Sequence, residues 1–412
     1  MMKQLTPLVC AAIFVFRCWA DDPLPRANAA QNGWDPTRLQ RVSELVAGDV
    51  KAGKIAGANV LLARDGQVVM QQSFGTRDID TGAPMQADTI CRIYSMSKVV
   101  TAVAVLQLLE QNRLYLAEPV VRWLPELKDL KVQAGSGGAN TLVPATNAIT
   151  VKMLLNHTAG LSYDFFTGTP VHNEYEKADL WNSKSLDDFI ARVGKLPLLA
   201  QPGTAYNYSI ADDVLGVLIQ RISGLPFEEF VAKNITEPLR MVDTAFDVPA
   251  DKMSRLAKLH EIRDGKLQTT PAILGAYAEP GRGIPCGGAG LFSTIGDYAR
   301  FAQCLLNGGE LEGVRILGRK TVELARMNSL PDGVFAFSRA DGWGLFSALR
   351  LNVALSNEPG SVGTFFWSGA ATTHFFADPQ EQVVALVFTQ LVPFDQPALI
   401  PRFHIAVYQA LE

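Results

Sequence analysis

Ser95-Met96-Ser97-Lys98 is the one S-x-x-K in this 412-residue sequence. A serine hydroxyl is too weakly acidic to attack a carbonyl unaided. A lysine three residues further along a helix lies on the same face and can relieve it of its proton. Desolvation in a cleft lowers a lysine pKa toward the range where that transfer works. The residues that follow support the helix: Val99, Val100, Ala102, Val103, Val105, Leu106, Leu108 and Leu109 are apolar on every side, as in a helix at the centre of a protein. Ser95 then stands where that helix begins, and the free backbone N–H groups and positive dipole end favour negative charge there. An isolated S-x-x-K more often marks a capping serine beside a solvated lysine. Its weight depends on what accompanies it.

Three further groups follow in order: Leu154-Leu155-Asn156-His157-Thr158-Ala159-Gly160-Leu161, then Pro202-Gly203-Thr204 leading to Tyr208-Ser209, then Trp367-Ser368-Gly369 ahead of Ala370. As a set they resemble the serine β-lactamase and penicillin-binding-protein superfamily. The class C β-lactamase-like branch fits best, and its family VIII carboxylesterases are the most similar. The resemblance spans Gly57 to the C-terminus. It implies that Ser95 is the nucleophile of an acyl-enzyme, with Lys98 and Tyr208 sharing the general base and acid work; which of the two is the base stays open. It also implies an oxyanion hole from the Ser95 and Ala370 N–H groups, and a substrate pocket containing Trp367, Ser368, Gly369 and Ile210. No metal or organic cofactor is expected. Tyr206 competes for the tyrosine role, but its spacing from Pro202-Gly203 is less suitable.

The departures from that pattern bear on substrate. Lactamases of this branch carry Y-x-N, whereas Tyr208-Ser209-Ile210 has an aliphatic residue where the amide would contact a lactam. K-T-G is absent, since Lys320-Thr321-Val322 fails at the glycine. Trp367-Ser368-Gly369 takes its expected place and resembles the esterase variant W-x-G. An indole offers an apolar stacking wall where a lysine would hold a carboxylate. Both changes favour a neutral, short-chain carboxylic ester. The alternatives are a class C-type β-lactamase or D-alanyl-D-alanine peptidase, and a non-catalytic penicillin-binding-like protein.

These residues need a frame. Helical periodicity runs from Pro36 to Ala52. Asn59 to Arg64 and Gln67 to Gln72 flank Asp65-Gly66, a two-residue hairpin signal. Leu130 to Thr150 is rich in Gly, Asn and Thr and reads as a loop, as does Glu279 to Gly290. Helices are expected over Asp213 to Ile222, Pro226 to Ile235, Tyr298 to Leu306 (capped near Thr294) and Arg402 to Glu412. Thr364 to Phe376 and Val383 to Gln390 read as paired strands around Asp378-Pro379. Strands at both ends with helices between them predict an α/β (α+β) fold, an antiparallel sheet flanked by helices with a helical insert. The expected domains are 31–104 with 246–412 for the sandwich and 105–245 for the mainly helical part.

Composition excludes other classes. Lys+Arg 37 against Asp+Glu 41 leaves a charge of −4, and no run of like charges tracks a phosphate backbone, so nucleic acid is not an expected partner. Beyond the N-terminus no apolar run approaches the roughly 20 residues that cross a bilayer, so no stable membrane insertion is expected. Lys3, the apolar Leu8 to Phe16 and the A-x-A-like Ala27-Asn28-Ala29 read as a secretory signal within residues 1–30, implying a periplasmic or secreted protein, otherwise a cytoplasmic one. A cut near Ala20 is the other choice. Cys91, Cys286 and Cys304 then remain, an odd number without C-x-x-C spacing, and the histidines are isolated. His157 reads as structural, and His374 with Asp378 is set aside as a triad because no G-x-S-x-G is present. The P-loop-like spacing of Gly48 to Lys54 is chance, with Ile55 where Ser or Thr is needed. The sequon Asn234-Ile235-Thr236 carries no weight. The partner implied is a small-molecule ester.

Overall fold

The computed structural model describes residues 23–134, 141–272, 279–281 and 283–412. The segment expected as a signal peptide lies outside them up to position 22. From Pro23 onward the chain is packed against the body. Leu24 is buried, Arg300 Nη1 donates to Pro23 O at 2.6 Å, and Ala27 N donates to Val68 O at 3.0 Å. Ala27-Asn28-Ala29 is therefore laid beside a strand of the fold.

Helix α1 (Pro36–Lys51) starts at Asp35, whose carboxylate accepts the N–H groups of Thr37 and Arg38 at 2.8 and 3.1 Å, with proline in the first turn. Its apolar stripe, Leu39, Val42 and Val46, faces the sheet. Strands β1 (Gly57–Arg64) and β2 (Gln67–Asp78) are joined by Asp65-Gly66 with φ of 51° and 73°, as a two-residue hairpin turn requires. The eight-stranded sheet runs Asp341–Trp343, Ala348–Arg350, Phe365–Gly369, Thr373–Asp378, Val383–Phe388, β1, β2, Ala83–Pro84, every neighbouring pair antiparallel. Its strands come from both ends of the chain, as the alternation of elements predicts.

The central strands Thr373–Asp378 and Val383–Phe388 are buried throughout because helices cover both faces. On β1, Val60 and Leu62 point toward α1 and the last helix, Leu399–Tyr408. Leu61 and Ala63 point the other way, into the larger core with helix Ile295–Leu306 and α2 (Ser97–Glu110). A one-residue slip would exchange the two cores. Residues Ser97 to Leu108 of α2 are all buried, as its unbroken apolar surface predicts.

Several boundaries differ from expectation. The strand expected over Thr364–Phe376 is two strands, Phe365–Gly369 and Thr373–Asp378, turning through Ala370 to Thr372. That turn contains no Pro, Asn or Asp; Thr372 takes φ of 58° itself, so the usual punctuation is missing. Leu130–Thr150 is not wholly a loop. Lys131–Ala134 pairs with Thr141–Pro144, and Gln133 N donates to Leu198 O at 3.0 Å, so buried Val132 anchors a small hairpin. The Thr294 side chain caps at Asp297 N, which starts that helix at Ile295 instead of Tyr298. The last helix runs Leu399–Tyr408, earlier than Arg402–Glu412, because Asp395 accepts the N–H groups of Leu399 and Ile400.

Candidate active site

The approach to Ser95 is a tight reversal. The short strand Cys91–Arg92 pairs with Phe292–Ser293, and Tyr94 then takes φ of 41°, a left-handed backbone costing a non-glycine residue roughly 1–3 kcal/mol. A 3-10 turn over Tyr94–Met96 leaves Ser95 half-buried at the mouth of α2. The turn is held from behind: Tyr298 hydroxyl donates to Met96 O at 3.0 Å, and Leu291 N donates to Ser97 Oγ at 3.0 Å. Lys98 is 1% exposed. Its Nζ donates to Tyr163 Oη at 2.8 Å and Gly288 O at 2.7 Å, and lies 4.8 Å from the centre of the Tyr208 ring.

The Leu154–Leu161 motif shapes the loop that carries Tyr208. Backbone acceptors along it take, in turn, Leu199 N at Gly160 O, Gly203 N at Thr158 O and Asn207 N at His157 O, at 2.7, 2.7 and 2.8 Å. Ile210 N reaches Ser162 O at 3.3 Å. A side chain at Gly160, φ 80°, would drive its Cβ to 2.2 Å from Ala200 O, so the two loops close only around glycine. His157 is fully buried beneath Tyr208, ring centres 4.9 Å apart. Burial, and then the Lys98 charge, hold its pKa well below the ordinary value, so it is a neutral packing group, as expected.

The electrostatics of Lys98 differ from the expectation of a lowered pKa. Burial alone would depress it, but the fields of Tyr208, Asp212 and Asp213 outweigh burial and hold Lys98 above the ordinary lysine value. Its N–H groups serve both Tyr163 Oη and Gly288 O. Asp213 accepts Cys286 Sγ–H at 2.6 Å and Gly288 N–H at 2.8 Å, whereas Asp212 lies 3.5 Å from neutral His157. Burial raises both carboxyls, Asp212 further, while hydrogen bonds from Cys286 and Gly288 pull Asp213 back. Tyr208 is raised by burial and pulled back by Lys98 and Ser95. Its hydroxyl faces both of them without a well-formed hydrogen bond.

Of the pocket residues expected, Trp367 packs against Tyr208, ring centres 5.4 Å apart, on the site side of its strand. Gly369 sits where a Cβ would approach Ile93 O to 2.2 Å, so glycine lets the strand end carrying Ala370 lie against the turn before Ser95. Two residues are placed differently. Ser368 Oγ turns away to His374 Nδ1 at 2.7 Å, because neighbours along a strand alternate faces. Ile210 is fully buried in the core at the start of helix Ala211–Ser223. His374 is not beside Asp378 in a triad; its Nε2 meets His404 Nε2 at 2.7 Å, and His404 Nδ1 meets Glu358 at 3.0 Å. Tyr206 packs on Trp343 and Phe337, so of the two tyrosines after Pro202-Gly203 it is Tyr208 that lies at Lys98.

Tyr163, Asp213 and the Cys286–Gly288 loop belong to the site although no motif named them. Tyr163 lies two residues past Leu161, so the motif read one step further would have reached it. Asp212-Asp213, two carboxylates opening an otherwise apolar buried helix, were the other available signal.

Comparison with known proteins is consistent with this geometry. A family model described as Beta-lactamase matches residues 42–409. Protein Rv1367c of Mycobacterium tuberculosis is 35% identical over 353 residues, 83% of this chain and 87% of that protein. Esterase EstB of Burkholderia gladioli is 30% identical over 359 residues, 82% and 86% respectively. Among solved structures, EstCE1, described as a hydrolase with promiscuous acyltransferase activity, superposes with TM-score 0.79 at 25% identity, covering 90% of this chain and 99% of that one.

Proposed function

The chain belongs to the beta-lactamase family of hydrolases and acyltransferases, and on that footing we propose that it is a carboxylesterase acting on uncharged, short-chain esters through an acyl-enzyme on Ser95. The observation that carries the reading is the setting of Lys98. It is an ammonium anchored by two of its three donors on Tyr163 and Gly288, with Tyr208 as the neighbouring group placed to exchange a proton with Ser95. The likeness to EstB, named an esterase, supports the same chemistry.

The active form carries Lys98 as the ammonium and Tyr208 as the phenolate it stabilises. Tyr208 takes the Ser95 proton as Oγ bonds to the ester carbonyl carbon. The tetrahedral oxyanion is met by the N–H groups of Ser95 and Ala370, where one such donor is worth on the order of 10²–10³ in rate. The C–O bond to the alcohol breaks, and Tyr208 returns the proton to that leaving oxygen. Water then attacks the acyl-Ser95 carbon while Tyr208 takes its proton; the acyl C–Oγ bond breaks, and the proton passes to Ser95. Trp367 supplies an apolar wall where a lysine would hold a substrate carboxylate.

Turnover of p-nitrophenyl acetate, butyrate and octanoate beside a chromogenic cephalosporin tests the reading. Acetate and butyrate are expected to be hydrolysed fastest, with little cephalosporin opening. Efficient cephalosporin hydrolysis would instead assign a lactamase.

A further inference from the structure

Two ladders of aromatic rings lead from solvent to Lys98. On one side Phe165, 48% exposed, stacks on Tyr163 with ring centres 4.6 Å apart and planes at 22°. The Tyr163 hydroxyl is the one that accepts from Lys98. On the other side Phe337, 57% exposed, stacks on Trp367 at 5.5 Å and 29°, and Trp367 packs on Tyr208. The two inner rings, Tyr163 and Tyr208, stand 5.6 Å apart, so the ladders converge at the ammonium. Leaving two phenylalanines this exposed forgoes apolar burial, and exposed apolar rings continuous with a reactive site mark a binding surface. The outer rings and those they stack on, Phe165 on Tyr163 and Phe337 on Trp367, are uncharged, and each outer ring is oriented nearly parallel to the one beneath it.

We propose that Phe165 and Phe337 are specificity-determining residues, and that the preferred substrate carries a flat, uncharged ring system on the alcohol side of its ester. The inference rests on the esterase reading above. A planar ring extends either stack by one more layer, whereas an alkyl chain of similar size gains burial without stacking. A small ester needs only the inner rings.

The test compares ethyl, n-octyl and 2-naphthylmethyl acetates, all esters of primary alcohols, on wild type, Phe165→Ala and Phe337→Ala. Calorimetry of 2-naphthalenemethanol and n-octanol with Ser95→Ala supplies a readout independent of turnover. Expected is a kcat/KM for the naphthylmethyl ester above that of the octyl ester, falling about 3- to 10-fold in at least one of the two variants, with ethyl acetate held within about twofold. Naphthalenemethanol should also bind more tightly than octanol. A preference for octyl, or an equal loss on ethyl acetate, would overturn the proposal. So would unchanged selectivity together with lost binding to phosphatidylcholine vesicles, which would give the rings to a lipid surface. Failure to hydrolyse any acetate would remove the esterase reading alone; the calorimetry would then decide the ring preference, with tight naphthalenemethanol binding upholding it and none overturning it.

Discussion

Asp213 reaches Lys98 through a single residue: its carboxylate accepts the Gly288 N–H at 2.8 Å, and the Gly288 carbonyl accepts from Lys98 Nζ at 2.7 Å. A Cβ on residue 288 would lie 2.6 Å from Asp213 Oδ2, so the loop closes on the carboxylate only as glycine. The same carboxylate takes the buried Cys286 thiol. A carboxylate on a helix outside the S-x-x-K motif thus holds the loop that positions its lysine, and adds to the fields of Tyr208 and Asp212 that favour the ammonium.

Replacing Asp213 with Asn removes that charge and keeps the shape. The Lys98–Tyr208 pair must lose one proton to become active, and Asp213 helps to hold Lys98 above the ordinary value. Without it the pair gives up its proton more readily, so the rising limb of kcat/KM against pH moves to lower pH. An unmoved limb, with only a uniform fall in rate, would reduce Asp213 to a structural role.

The two tyrosines at Lys98 should separate in magnitude. Tyr208→Phe removes the group proposed to move the proton and should lower kcat/KM for p-nitrophenyl acetate by about 10²–10⁴. Tyr163→Phe deletes one hydrogen bond to an ammonium, worth roughly 1.5–3 kcal/mol, and should cost about 10- to 100-fold. A reversed order would assign the proton transfer to Tyr163.

Gly369→Ala places a methyl against Ile93 O, which must move. Overpacking of this kind costs about 1–3 kcal/mol, and the shift displaces Ala370 from the turn before Ser95. Thermal melting should show the loss of stability, and kcat should fall more than KM rises.

Two buried histidines predict the acid limb of stability. Burial holds His374, with a further push from His404, and His157, with one from Lys98, well below the ordinary 6.5. The unfolded chain therefore binds protons that the folded one refuses as pH drops below about 6.5, and stability falls with pH. His374→Gln should flatten the slope of Tm against pH below 6.5. An unchanged slope would show that His374 takes up its proton while folded.

What the sequence makes legible divides along physical lines. Ser95, Lys98 and the all-apolar helix behind them are local features, and the β1–β2 hairpin is announced by Asp-Gly. The antiparallel sheet follows from where strand and helix patterns alternate. Ser368 is misplaced because spacing alone does not say which face of a strand meets the site; its alternation with Trp367 does. Ile210 reads as pocket-lining by its place after Tyr208, yet it is the residue that seats the next helix in the core. The Cys286–Gly288 loop carries no periodic signal, since its contribution is a carbonyl and not a side chain. Lysine protonation escapes composition altogether, because burial opposes it and Tyr208, Asp212 and Asp213, more than a hundred residues away, favour it.

Mass spectrometry of the enzyme quenched during p-nitrophenyl butyrate turnover tests the central claim most directly. A butyryl group on the peptide carrying Ser95, absent in Ser95→Ala together with all turnover, is the predicted result. Full ester hydrolysis by Ser95→Ala, or an acyl group on any other residue, would contradict it.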